Sequence, residues 1–270
     1  MTVPLAVTVT AKQRGRQTPA AKAKAEAWGL PFYSFDRADG IPLSERIGTV
    51  ADAFLVLGGD GWTLHDASGS LYFSPGTAAL RVRRIGTPKQ DEDVLVRLCE
   101  LQPGDSVLDG TLGLGSDALI CARVVGPKGR VIGVEASLPL FVLASEGLKR
   151  EPPFPDSATI DVRHGTALEV LRSLESHSID CVIFDPMFDL PKASTPSFNM
   201  LRRYASHEPL DEVTLVEARR VAKRWVVVKG GRYGKEFERL GLTPLKLTRF
   251  KPLVWARVAP SPCEAGRGSG

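Results

Sequence analysis

Asp185, Pro186, Met187 and Phe188 follow one another at the end of an apolar run, Cys181 to Phe184. Their types suit one task, holding an amine whose nitrogen is to be alkylated. An amine conjugated to a ring has its lone pair drawn into that ring, so it attacks poorly until acceptors take its N–H bonds and let the nitrogen pyramidalise. Asp185 offers one acceptor, and the carbonyl of Pro186, whose own nitrogen carries no hydrogen, offers another. Phe188 has a face on which a planar base can stack. No strong base is needed, because the nitrogen becomes acidic once the new bond has formed. Taken alone, Asp-Pro after a strand is also an ordinary turn, so the alkyl donor has to be sought elsewhere in the chain.

A place for such a donor is offered by Asp109-Gly110-Thr111-Leu112-Gly113-Leu114-Gly115-Ser116-Asp117-Ala118 and by Val131 to Glu135. Asp109 ends one apolar strand, and Gly113 and Gly115 lack the Cβ atoms that would keep the backbone away from a ligand. Glu135 closes the next strand, where a carboxylate can accept hydrogen bonds from ribose hydroxyls. The loop also fits G-x-G-x-x-A, the dinucleotide fingerprint. That fingerprint requires the apolar strand to run straight into its first glycine, whereas Asp109-Gly110-Thr111 interrupts it, and a charge and a glycine make poor strand interior. With Asp109 at the strand tip, the loop from Gly110 to Gly115 wraps a methionine moiety and has no pyrophosphate to cradle. The segments together predict an S-adenosylmethionine (SAM) site with a methyl-accepting nitrogen beside it. In-line displacement there depends on holding donor and acceptor about 3–3.5 Å apart.

To bring these segments to one edge, the chain from Pro103 onward must alternate strand and helix. Strands are predicted over Ser106–Asp109, Arg130–Glu135, Thr159–Arg163, Ile179–Phe184 and Trp225–Lys229, and helices over Asp117–Val125, Ser137–Lys149, Ala167–Leu174 and Asp211–Ala222. Two further strands, Leu245–Phe250 and Leu253–Val258, read as an antiparallel pair. The pattern predicts an α/β, Rossmann-like fold, a seven-stranded, mostly parallel, doubly wound sheet that binds its ligand at the carboxyl ends of the strands. Residues 1–86 read as a small N-terminal α+β domain suited to gripping RNA. Its elements are a strand over Leu5–Thr10, a helix over Pro19–Trp28 capped by Gly29, and short strands over Ala53–Leu57, Trp62–His65 and Leu71–Phe73. A helix over Asp91–Leu101, with Asp91 in its first turn, opens the methyltransferase domain of residues 87–258. Residues 259–270, rich in Gly, Ser and Pro, read as a disordered tail.

A chain of 270 residues that is 43% hydrophobic can bury one large core and a smaller one. The net charge of +4 is mild, but its distribution is uneven. Lys12, Arg14, Arg16, Lys22 and Lys24 precede the first acid, Glu26, and Arg81, Arg83, Arg84 and Lys89 fill an acid-free interval. Such clusters suit phosphates and equally suit a solvated face. Cys99, Cys121, Cys181 and Cys263 form no C-x-x-C pair and the histidines show no ligand spacing, so no metal is expected. No apolar stretch approaches the roughly 20 residues of a membrane helix, and the N-terminus does not read as a signal peptide; the expectation is a cytoplasmic protein. His164 ends a strand, where it borders a ligand or is simply hydrogen-bonded. Arg202, Arg203 and Tyr204 would flank a flipped nucleotide or start an exposed helix. Arg219, Arg220, Lys223 and Arg224, on or after the helix over Asp211–Ala222, read as its solvated face. Lys229, on the same edge as Asp109 and Asp185, would meet a phosphate or a substrate carbonyl.

The chain is similar to the RsmJ-type small-subunit ribosomal RNA (guanine-N2)-methyltransferases and their uncharacterised bacterial relatives, over roughly residues 50 to 235. The likeness is carried by Leu80-Arg81-x-Arg83-Arg84-Ile85, Asp109-x-Thr111-x-Gly113-Leu114-Gly115-x-Asp117-Ala118, Glu135, Asp185-Pro186-Met187-Phe188, and Ala218-Arg219 through Val226-Val227-Val228-Lys229. It implies a class I methyltransferase fold and a SAM pocket lined by Ser116, Asp117, Glu135, Ala136, Thr166, Ala167 and Asp185, with Thr111 standing where a first loop glycine is usual. It also implies RNA as partner, either free ribosomal RNA or the small ribosomal subunit, and the N2 amine of a guanine as acceptor. The same chemistry would serve a protein amide, a DNA adenine or a small-molecule amine. A protein that binds SAM or RNA without catalysis is the reading from a different class.

Overall fold

Short apolar runs and amphipathic stretches resolve into strands and helices in the computed structural model, which describes residues 2–35, 38–88, 93–150, 154–187, 195–231, 235–245 and 253–262. In chain order the first elements are β1 (Ala6–Val9), α1 (Arg14–Ala27), α2 (Leu43–Arg46), β2 (Ala53–Gly58), β3 (Gly61–Asp66), β4 (Gly69–Tyr72), α3 (Gly76–Val82) and α4 (Val94–Cys99). They are followed by β5 (Ser106–Asp109), α5 (Ser116–Val125), β6 (Arg130–Glu135), α6 (Leu138–Arg150), β7 (Ile160–His164), α7 (Ala167–Arg172) and β8 (Ile179–Phe184). The last are α8 (Pro196–Tyr204), α9 (Glu212–Val221), β9 (Ala222–Gly231), α10 (Lys235–Arg239) and β10 (Leu253–Val258). The chain divides into two units: Met1–Ser74 with Ser137–Glu151 and Lys192–Ala205, and Pro75–Ala136 with Pro152–Pro191 and Ser206–Gly270. None of the described helices is long and apolar enough to cross a membrane.

The first unit is built on a sheet of order β1-β2-β3-β4, in which β1 runs parallel to β2 and the other pairs are antiparallel. Trp62, Leu64 and Asp66 of β3 are buried while their neighbours are not, the period of two expected of a half-buried strand. Helix α1 starts at Arg14, five residues before its expected start at Pro19, with the proline's missing N–H tolerated inside it. Gly29 ends it as expected: its φ is +66° and the next amide, Leu30 N–H, reaches back to the Ala25 carbonyl at 2.8 Å. Helices α6 and α8 belong to this unit. Gly147 of α6 lies on the Phe73 ring so closely that a Cβ there would stand 2.1 Å from it. Arg203 and Tyr204 of α8 donate to Asp66 at 2.9 and 3.1 Å, and Ser68 donates to the same carboxylate through its N–H and its hydroxyl.

The second unit is a sheet of order β10-β9-β8-β5-β6-β7, parallel except for β10. Strand order reverses at β5, with β6 and β7 on one side and β8 and β9 on the other, so ligands belong at the carboxyl ends of β5 and β8. On one face Leu108, Ile132, Val182, Val226 and Val228 form a core with Val170 and Leu171 of α7 and Leu215 and Ala218 of α9. The alternate residues Val107, Val131, Cys181 and Val227 are equally buried on the other face, where Cys181 donates its thiol hydrogen to the Cys99 carbonyl of α4 at 3.0 Å. The sheet is therefore doubly wound. Six strands appear among the described residues. Of the expected Leu245–Phe250 strand, Leu245 is described and bridges Trp255 antiparallel; the remainder lies outside the described residues. The expected tail begins ordered, since Ser261 N–H donates to the Arg219 carbonyl and Arg219 to the Ala259 carbonyl.

Candidate active site

β5 delivers Asp109 to the switch point, and the chain then has to turn over the sheet. Gly110 makes this possible: a Cβ there would lie 2.4 Å from the buried Phe184 ring of β8. Its N–H donates to the Ile183 carbonyl at 2.9 Å. Leu112 N–H donates to Val134 O at 2.9 Å, and the Leu112 side chain occupies the space left by Gly133, where a Cβ would stand 2.6 Å from it. Gly113, at φ +56°, donates its N–H to Glu135 Oε2 at 2.8 Å and faces open space. Gly115, at φ +81°, takes the position before α5. The loop predicted to wrap a ligand is thus tied to the tips of β6 and β8 by its own backbone.

The Thr111 hydroxyl oxygen accepts the backbone N–H of Asp185 at 2.6 Å, which joins the loop after β5 to the Asp-Pro corner after β8. Asp185 Oδ2 accepts from Lys229 Nζ, which also lies 3.8 Å from Asp117 Oδ2 and 5.5 Å from the centre of the Trp255 ring. Asp117 Oδ1 accepts from Arg81, and Arg81 grips Asp93 through Nε at 2.8 Å and a terminal nitrogen at 3.0 Å. Asp93 caps α4 by accepting from Leu95 and Val96 N–H. The sequence expectation puts Asp91, which lies outside the described residues, in the first turn; the signal for Asp93 is an acid directly before the apolar run Val94-Leu95-Val96.

Five carboxylates, Asp93, Asp109, Asp117, Glu135 and Asp185, stand here with two cations, Arg81 and Lys229. Burial pushes Asp109 up to about 8, and Asp117, Asp185 and Glu135 add to the effect against one Thr111 N–H. Burial also raises Asp185, with Lys229 opposing and Asp117 reinforcing. Lys229 is raised, its carboxylate neighbours outweighing burial. An acid-rich edge of this kind suits a ligand that brings more positive than negative charge, and SAM, with an ammonium, a sulfonium and one carboxylate, is such a ligand. Among the described residues no group of His, Cys, Asp and Glu is arranged to hold a metal.

Several predicted positions have other engagements. Thr166 closes a capping box at α7, donating both N–H and hydroxyl to Glu169 Oε2. Ser116 and Asp117 open α5, Ala136 follows β6 and Ala167 opens α7, all bordering the same strand ends. Pro186 follows Asp185 directly, and Phe188 lies outside the described residues. Arg81, expected on a phosphate, is committed to Asp93 and Asp117, whereas Arg83 and Arg84 are exposed. Arg203 and Tyr204, read as flanking a nucleotide or starting an exposed helix, lie instead at the end of α8 and donate to Asp66. Arg220 and Arg224 are not simply solvated: Arg220 donates to the Leu171 and Leu174 carbonyls, and Arg224, in β9, pairs with Asp105 and donates to the Cys99 carbonyl.

The chain matches the family described as "Putative SAM-dependent methyltransferase" over residues 63–246. It is 34% identical to uncharacterized protein YpiP of Bacillus subtilis (strain 168) over 198 residues, 71% of this chain and 76% of that protein. It is 30% identical to ribosomal RNA small subunit methyltransferase J of Pseudomonas paraeruginosa over 219 residues, 78% of this chain and 79% of that one. In fold it is similar to the crystal structure of the SAM-dependent methyltransferase NGO1261 from Neisseria gonorrhoeae, with a TM-score of 0.64 at 22% identity over 98% of this chain and 99% of that chain. The reversal of strand order at β5 and the cation-seeking edge beside it are what such an enzyme requires, and the chain belongs to this family as a class I SAM-dependent methyltransferase.

Proposed function

We propose that the enzyme methylates the exocyclic N2 amine of a guanine in small-subunit ribosomal RNA. The observation that carries this reading is the Asp185 corner. Its backbone is pinned by Thr111 and one carboxylate oxygen by Lys229, which leaves Oδ1 without a hydrogen-bond donor among the described residues and Pro186 next in the chain. Oδ1 and the Pro186 carbonyl are acceptors for the N–H bonds of a planar amine, and taking them both frees the nitrogen lone pair. Phe188 would stack on the ring bearing the amine. The choice of ribosomal RNA is supported by the relative named ribosomal RNA small subunit methyltransferase J.

SAM, when bound, supplies a methyl group made electrophilic by its sulfonium. Asp109 and Asp117 would hold its ammonium, Glu135 its ribose hydroxyls, and Gly113, Gly115, Ser116, Ala136, Thr166 and Ala167 the remaining walls, with Thr111 bracing the loop. Arg83 and Arg84, both exposed, would meet RNA phosphates. In the first unit a cleft of about 310 Å³ is lined by Trp62, Tyr72, Phe73 and Arg150 together with Asp60 and Glu146, and the exposed Tyr72 ring there would stack an unpaired nucleotide. That supports an RNA-gripping role for the N-terminal part of the chain.

Tritiated SAM, offered with RNA and with small-subunit particles from a strain lacking the gene, tests the reading. Label recovered as N2-methylguanosine is the expected result. Label in protein or DNA with the RNA blank, or in a different nucleoside, overturns it.

A further inference from the structure

The side chain that holds the Asp-Pro corner is itself held. Lys229 leaves β9 with 16% of its side chain exposed, and its ammonium faces Asp185 Oδ2 and Asp117 Oδ2 above the Trp255 ring. Asp117 is fixed from the other side by Arg81, Arg81 by its two-point grip on Asp93, and Asp93 by the first amides of α4. Charges alternate without a gap along Asp93, Arg81, Asp117, Lys229 and Asp185. A lysine that swung out to a phosphate would leave Asp185 without its cation and Asp117 with Arg81 alone, next to Asp109, so the phosphate contact expected of Lys229 is the costlier use of its charge.

We propose that Lys229 is a positioning residue for methyl transfer: it occupies Oδ2 of Asp185 and thereby presents Oδ1, ionised, as the one side-chain acceptor for the incoming amine. The proposal rests on the reading of Asp185 given above. A protonated Asp185 would turn an O–H toward the amine, where an acceptor is needed. Burial already lifts this carboxyl, and the groups facing it are Lys229 of β9, Asp117 of α5, Arg81 of α3 and Asp109 at the tip of β5. Lys229 and Arg81 favour the ionised form, and the other two oppose it. Removing the ammonium leaves Arg81 alone against the acids and desolvation.

The test follows the Asp185 carboxyl carbon by NMR in aspartate-labelled full-length protein, the signal being identified by its loss in Asp185→Asn. Lys229→Met keeps the stem on Trp255 and deletes the charge, and Lys229→Arg restores it. The expected result is a rise of about one pH unit or more in the Asp185 midpoint for Lys229→Met and a return toward the wild-type value for Lys229→Arg. With undermethylated small-subunit RNA, kcat on the acid limb should fall by up to about tenfold per unit of midpoint shift, KM for RNA should hold, and the acid limb of the rate profile should move up with the midpoint. An unmoved midpoint, or a weaker RNA KM at unchanged kcat, would make Lys229 a nucleic-acid contact and overturn the proposal. If wild-type protein methylates no RNA, the substrate reading fails, while the titration, which needs no substrate, still decides the role of Lys229.

Discussion

The Thr111 hydroxyl and the Asp185 backbone N–H, 74 residues apart in sequence, meet at 2.6 Å and make one unit of the cofactor loop and the acceptor corner. A glycine at position 111 would let the loop turn equally well but could not hold the corner. Thr111→Val, nearly the same shape, removes the acceptor and strands a partly buried N–H. It should cost about 1–2 kcal/mol in urea unfolding and slow single-turnover methylation by more than that stability loss accounts for. Thr111→Ser should restore most of both. Wild-type turnover in the valine variant would show that the corner holds itself.

Gly110 and Gly113 lie in the same loop for different reasons, and alanine separates them. At position 110 the new Cβ meets the Phe184 ring at 2.4 Å, and Phe184 is a core residue with no room to yield. Gly110→Ala should therefore destabilise the fold by about 1–3 kcal/mol, read as a lower unfolding midpoint. At position 113 nothing stands within 4 Å of the new Cβ, but φ is +56°. Gly113→Ala should cost only about 1–2 kcal/mol of stability and fall mainly on SAM affinity, measured by calorimetry, because its methyl projects into the space assigned to the ligand.

The residues at strand tips were legible because each ends an apolar run: Asp109 after β5, Glu135 closing β6 and Asp185 after β8. Their connections were not, since Arg81 lies 36 residues from Asp117 and Lys229 lies 44 from Asp185, and no local pattern couples them. Helix α8 went unread although Thr195-Pro196 is a cap followed by an N1 proline, with the Thr195 hydroxyl accepting from Phe198 N–H at 3.3 Å. Pro-Ser-Phe-Asn is weak helix sequence, and what anchors it is distant, the buried Met200 and the bonds to Asp66. Strand β9 begins at Ala222, three residues before the expected Trp225, because α9 passes into it with no intervening loop to mark the change.

Tyr72 is 59% exposed at the edge of the cleft in the first unit. If that cleft stacks a nucleotide, Tyr72→Ala should weaken binding of small-subunit RNA by about tenfold, the usual worth of one stacked base. SAM affinity should be unchanged. Fluorescence anisotropy with labelled RNA, alongside calorimetry with SAM, reads the two separately. Equal RNA affinity in the variant would remove the cleft from the RNA path.

The Asp109 carboxyl, lifted to about 8 chiefly by burial and then by its acidic neighbours, gives the fold and the site opposite responses to pH. Between the ordinary carboxylate range and pH 8 the folded chain keeps a proton on Asp109 that the unfolded chain has lost. The native state binds more protons there, so this group's contribution to stability declines as pH rises through the window and levels off above it. A cationic ligand next to Asp109 reverses the preference by favouring the ionised form. SAM affinity should therefore increase between about pH 6 and about pH 8, by up to tenfold per unit, with release of up to one proton on binding. Calorimetry in two buffers of different ionisation enthalpy measures that release directly. Asp109→Asn should abolish it and flatten the affinity profile. An affinity already level across that range in the wild type would mean that Asp109 does not face the ammonium, and that the acid-rich edge is balanced within the fold.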